Sequence, residues 1–77
     1  MKGFTVLFWL AAHGPYEVGQ ADVIQRVRAR DAYDAIGKAA QKRSVYAPMV
    51  YAIPDDAFTG VACRWVVAPP MNGWVVQ

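Results

Sequence analysis

Seventy-seven residues suffice for one domain, residues 1–77, and a chain of this length buries only about 60% of its unfolded surface, which leaves stability marginal. The composition is 56% hydrophobic and 18% charged with a net charge of +2, whereas an average soluble domain carries about 25% charged residues. One cysteine, Cys63, and one histidine, His13, exclude a disulfide framework and a cysteine–histidine metal site, the usual reinforcements of domains this small.

The opening run from Phe4 to Ala12, after Lys2, has the charge and apolar length of a secretory leader, with Gly19-Gln20-Ala21 as a poor cleavage site. It also alternates like a buried strand, with Phe4, Val6, Phe8 and Leu10 on one face and Thr5, Leu7, Trp9 and Ala11 on the other. Both faces are apolar, which predicts a central strand over residues 3–12. A transmembrane helix needs about 20 apolar residues, and His13-Gly14-Pro15 ends this run well short of that. No membrane span is expected.

Residues 22–29 alternate again, Val23, Val27 and Ala29 against Arg26 and Arg28, which predicts a strand with one wet face. The period changes at Asp31, a good helix N-cap, with Asp34 three positions on. Ala32, Ala35, Ile36, Ala39 and Ala40 then form one apolar stripe, and Lys42 and Arg43 suit the negative end of the helix dipole. A stripe of alanines predicts a helix lying close to the sheet, with Gly37 where the backbone makes its approach.

A third strand is predicted over residues 45–53, held to an edge or a bulge by Pro48, which has no N–H to donate. A turn over residues 54–60, with room for one helical turn, leads to a fourth strand at 61–68, which Pro69-Pro70 ends. The tail, residues 71–77, has an Asn72-Gly73 turn signal and is too apolar to stay in solvent, so it docks as a short strand or against a partner. The order β-β-α-β-β, with this fifth strand, predicts an α+β fold: a single-layer, mainly antiparallel sheet of four to five strands with one helix on one face.

One helix covers one face of a sheet. If it takes Phe4, Val6, Phe8, Val23, Val27, Cys63 and Trp65, the reverse face shows Leu7, Trp9, Ile24, Arg26, Arg28, Arg64 and Val66, with Arg30 at a strand end. Leu7, Trp9, Arg64, Val66 and the tail's Trp74 are therefore the expected interface of a homodimer or of a complex with another protein. The alternative is nucleic-acid binding, with Arg26, Arg28 and Arg30 on phosphates and Trp9 stacking a base. Six of the eight basic residues lie between Arg26 and Arg43, but +2 is a small charge for such a domain, and there is no RNP-type run or helix-turn-helix pattern.

Catalysis is not expected. His13, Ser44 and Cys63 stand alone in sequence, and nucleophilic or acid–base chemistry needs two or three positioned groups. Asp55-Asp56 reads as a solvated turn more readily than as a metal site with His13, and no glycine-rich phosphate loop is present. No catalytic, cofactor-binding or metal-binding residue is assigned. Cys63, within Val61-Ala62-Cys63-Arg64-Trp65, reads as a small buried hydrophobe in a reducing compartment.

The segment Val27-Arg28-Ala29-Arg30-Asp31-Ala32-Tyr33-Asp34-Ala35-Ile36 runs from an alternating strand straight into an alanine-striped helix. It resembles the strand-to-helix joint of small orphan proteins encoded by bacteriophages, particularly those of actinobacteria. The resemblance covers about twenty residues of style and carries no functional residue with it. It implies a small protein of the bacterial cytoplasm that binds a host or phage component, or itself.

Overall fold

The first hydrophobic run takes the middle of the sheet because it can be buried on both faces. In the computed structural model, which describes residues 1–56 and 59–77, β1 (Lys2–Trp9) lies between β2 (Val23–Ala29) and β3 (Met49–Pro54). Beyond β3 come β4 (Val61–Ala68) and β5 (Met71–Val76), in the order β2-β1-β3-β4-β5 with every pairing antiparallel. The helix α1 (Ala32–Arg43) forms the connection from β2 to β3 and crosses over β1 on the way. The fold is α+β, as the alternation and the change of period predict.

Register keeps like faces together, since side chains alternate with a period of two. Phe8 lies opposite both Val23 and Val50, and Val50 lies opposite Cys63. These side chains and Phe4, Val6 and Ala52 form the sheet side of the main core, against Ala35, Ile36, Ala39 and Ala40 of the helix. Small helix residues let the helix settle close to the strands, so Ile36 is the one large side chain that α1 buries completely.

Both helix ends are capped by their own sequence. The Asp31 carboxylate accepts from the Asp34 backbone N–H at 2.8 Å, which satisfies one donor of the first turn. At the far end Ser44 adopts a left-handed conformation (φ 54°, ψ 45°), and the N–H groups of Ser44 and Val45 donate to the carbonyls of Gln41 and Ala40. That is the hydrogen-bond pattern of a Schellman cap built without the usual glycine.

Four local expectations are corrected. Gly37 faces solvent, and a β-carbon added there would meet open space, so no backbone approach explains it. Pro48 does not force β3 to an edge: it sits just before the strand, where no ladder N–H is required, and its carbonyl accepts from the Trp65 N–H at 3.1 Å. β3 is consequently interior, between β1 and β4. Asn72-Gly73 is not a turn but part of β5; the chain reverses at Pro69-Pro70, between the paired residues Ala68 and Met71. Finally, β1 stops at Trp9, and Leu10 is exposed with its N–H donating to the Asp22 carboxylate at 2.8 Å. The helical turn expected within residues 54–60 falls partly on Ala57 and Phe58, outside the described residues.

Candidate interaction surface

The reverse face of the sheet is not left open over β1. The connection between β1 and β2, which includes a short 3-10 turn at Val18–Gln20, folds back across it. Tyr16 meets the Trp9 ring edge-on with centroids 5.9 Å apart, and the Trp9 indole N–H donates to the Glu17 carbonyl at 3.0 Å. The Tyr16 hydroxyl in turn donates to the Ala11 carbonyl at 3.2 Å, which ties the loop to itself. Leu7, Trp9 and Met49 are buried beneath this cover, with Ala21, Tyr51 and Ile53 around them.

The five residues expected to share one interface therefore divide three ways. Leu7 and Trp9 are core residues of a second, smaller cluster, with relative exposures of 3% and 5%. Arg64 and Val66 do lie on the reverse face, on β4, where Arg64 sits across from Met49 at the rim of that cluster. Trp74 lies on the helix side, because it pairs with Trp65 and both share the face of Cys63. Its ring packs on Phe8, with centroids 6.3 Å apart.

The helix side has an uncovered region of its own. A helix is about 10 Å across and strands are about 4.8 Å apart, so one helix roofs roughly two strands. The main contacts of α1 are to β2, β3 and β1. Past it, Trp65 stands against Trp74 on one side and Tyr46 on the other, with centroids 5.0 Å apart in each pair. Val67 and Val76 flank these rings and are 74% and 56% exposed, and Tyr46 is 67% exposed. No charged residue belongs to this patch. The sequence assigned Trp65 to the helix-covered face, which is the correct side of the sheet but the wrong end of it.

The two edges of the sheet differ in chemistry. The β2 edge bears Arg26 and Arg28, and Lys38 reaches from α1 to donate to the Arg28 carbonyl at 3.1 Å. Charged side chains of this kind keep an edge from pairing with another chain. The β5 edge, Met71-Asn72-Gly73-Trp74-Val75-Val76, has no charge at all. Of the arginines expected on nucleic acid, Arg26 pairs with Asp55 at 2.6 Å and Arg30 approaches Asp34 at 3.7 Å.

Asp34 also accepts from the Arg30 backbone N–H at 3.0 Å and faces Lys38 at 3.4 Å. The Arg30 backbone hydrogen bond, with help from Lys38, holds its carboxyl below the ordinary value of 3.8. Cys63 is fully buried in the main core, and burial pushes its thiol above the ordinary 9.0. A neutral, enclosed thiol is a packing residue. Ser44 closes the helix, His13 lies exposed in the first loop, and no group of three or more His, Cys, Asp or Glu suited to a metal assembles among the described residues. Nor is any helix among them long and apolar enough to cross a membrane.

No protein-family model, curated protein sequence or solved structure matches this chain.

Proposed function

We propose that this protein is a non-catalytic interaction module that self-associates through the open half of its sheet, with β5 pairing antiparallel to β5 of a second copy. The observation that carries this reading is the coincidence of an uncharged edge strand with an exposed aromatic and aliphatic patch beside it. An unguarded edge offers a row of backbone donors and acceptors, and its neighbouring side chains supply apolar area.

Symmetry favours the same arrangement. Two identical strands pair antiparallel about a two-fold axis perpendicular to the sheet, and that operation leaves both helices on one side. The two Tyr46–Trp65–Trp74 patches then become one continuous apolar strip. A host or phage protein that offers a strand would use the same edge. The chain's resemblance to phage proteins and its single enclosed thiol are our grounds for placing it in the host cytoplasm.

The nucleic-acid alternative keeps Arg26 and Arg28 but loses its stacking ring, since Trp9 is buried under the loop. We therefore put the interface on β5, which keeps Trp74 of the residues first expected and leaves out Leu7 and Trp9, buried under the loop.

Sedimentation equilibrium at micromolar concentration tests the proposal. A dimer is expected for the natural chain. Met71→Lys with Val76→Lys, both at exposed positions, is expected to weaken association at least about ten-fold, because lysines on an edge strand oppose its pairing with another chain. Circular dichroism should show the fold unchanged. An 8.5 kDa monomer at all concentrations, or a dimer indifferent to both lysines, would overturn the reading.

A further inference from the structure

At the opposite edge of the sheet, a cleft of about 550 Å³ wraps around β2. Arg26 and Arg28 line it from the strand, and Lys38 and Lys42 line it from one face of α1, four residues apart. Asp55 is the carboxylate among the lining residues and Gly3 forms part of the floor. Four of the chain's eight basic side chains thus face one of its six acidic ones. The cleft carries a net +3 where the whole chain carries +2, so everything outside it nets −1.

We propose that this cleft binds consecutive phosphate groups, and that Asp55 is the internal anion they displace. The proposal is independent of the β5 interface, which lies at the other edge.

Guarding the β2 edge accounts for only part of the charge. Lys38 caps the Arg28 carbonyl and shares Asp34 with Arg30, and the Arg28 guanidinium donates to the Met1 carbonyl at 3.0 Å. Lys42, however, is exposed and has no hydrogen-bond or ion-pair partner among the described residues. It sits at i+4 from Lys38, the spacing at which like charges oppose helix formation. The helix dipole favours a cation at Lys42, but no side-chain partner among the described residues offsets its repulsion with Lys38.

The Arg26–Asp55 contact is exposed on both sides, with side-chain exposures of 71% and 43%. Exposed ion pairs contribute little and exchange readily for a stronger anion. Asp55 is nonetheless held in place: its N–H donates to the Gly3 carbonyl at 2.9 Å, and its carboxylate rests where a β-carbon on Gly3 would collide with it. The glycine keeps a carboxylate against the arginine that a phosphate would claim.

The ligand class follows from what the lining lacks as well as from its charge. Guanidinium groups fork onto phosphate oxygens and lysines add point charge, while among the described residues no aromatic ring lines the cleft for a base to stack on. Recognition is then of the phosphates alone, whether in a free oligophosphate or in a nucleic-acid backbone.

Two probes separate these sources: inorganic tripolyphosphate by calorimetry, and a labelled mixed-sequence single-stranded oligonucleotide by anisotropy, both with the full-length chain. Lys42→Ala, at an exposed helix position, is expected to weaken binding several-fold and to lower the salt slope on the single strand by about 0.7. Asp55→Asn is expected to tighten binding several-fold, since it removes the competing charge and frees Arg26. That gain cannot come from a damaged fold. Response of both probes to both variants assigns the ligand to backbone phosphates generally; response of tripolyphosphate alone assigns it to a small oligophosphate. No binding of either probe, or binding that neither variant alters, would overturn the proposal.

Discussion

The half of the sheet made by β2, β1 and β3 is covered twice, by α1 on one face and across β1 and β3 by the loop at residues 10–22 on the other, whereas β4 and β5 are left largely bare on both. The covered half has its edge guarded by arginines and a lysine, and the bare half ends on a strand with no charge. A small domain has too little chain to roof five strands twice over. Where its covering segments run out, the remaining apolar area must face solvent or another molecule. Exposed apolar side chains also occur elsewhere, at Leu10, Val18, Ile24 and Tyr33, but Tyr46, Val67, Met71 and Val76 gather at one end, beside the strand best able to pair.

Tryptophans in the two halves should therefore respond differently to truncation. Trp9→Ala should cost about 3–5 kcal/mol, as for other large buried aromatics, which is a large share of the total stability of a domain this size. Trp65→Ala, at a half-buried site in the bare half, should cost clearly less and act mainly on association. Chemical denaturation of both variants decides it, and equal losses would break the comparison.

A second expectation sharpens the picture of how the helix lies. Because Gly37 points away from the sheet into open space, Gly37→Ala should stabilise by about 1 kcal/mol, the propensity difference between the two residues. For a domain of this length that raises the melting temperature by about 4–8 °C. A loss of stability instead would mean that the outer face of α1 is occupied.

The smallest effect concerns Cys63, the one fully buried side chain of β4. Its thiol should resist alkylation and disulfide reagents at pH 8 in the native chain and react at once in denaturant. Burial raises its pKa, so the folded state holds a proton that the unfolded state releases first. The associated stability is complete below about pH 9 and is lost as pH climbs from there through the raised value. Rapid native labelling would mean that the β3–β4 region opens far more readily than its packing implies.

Much of the local structure was legible in the residues. The alternation through β1 and β2, the Asp31 cap, the alanine stripe of α1 and the span of β4 all appear where neighbouring residues predict them. Pro48 and Asn72-Gly73 depart from expectation for one reason. Each is read by residue type, yet acts according to its position relative to the ladder: Pro48 one residue before it, Asn72-Gly73 within it and past a turn already made by Pro69-Pro70. Leu7 and Trp9, expected on an open face, are buried for a different reason. Alternation tells which side of a sheet Trp9, Trp65 and Trp74 occupy, but not whether a loop or a helix lies above them.

By itself the sequence determined the periods, the caps, the element order and the excess of apolar side chain, because these depend on residues within a few positions of one another. Tertiary structure alone decided that the first loop roofs Trp9, that α1 stops short of β4 and β5, and that Lys38 and Lys42 close on Arg26 and Arg28 around the β2 edge. Those outcomes turn on the strand order and on the width of one helix laid across it, and both arise only when segments far apart in the chain are brought side by side.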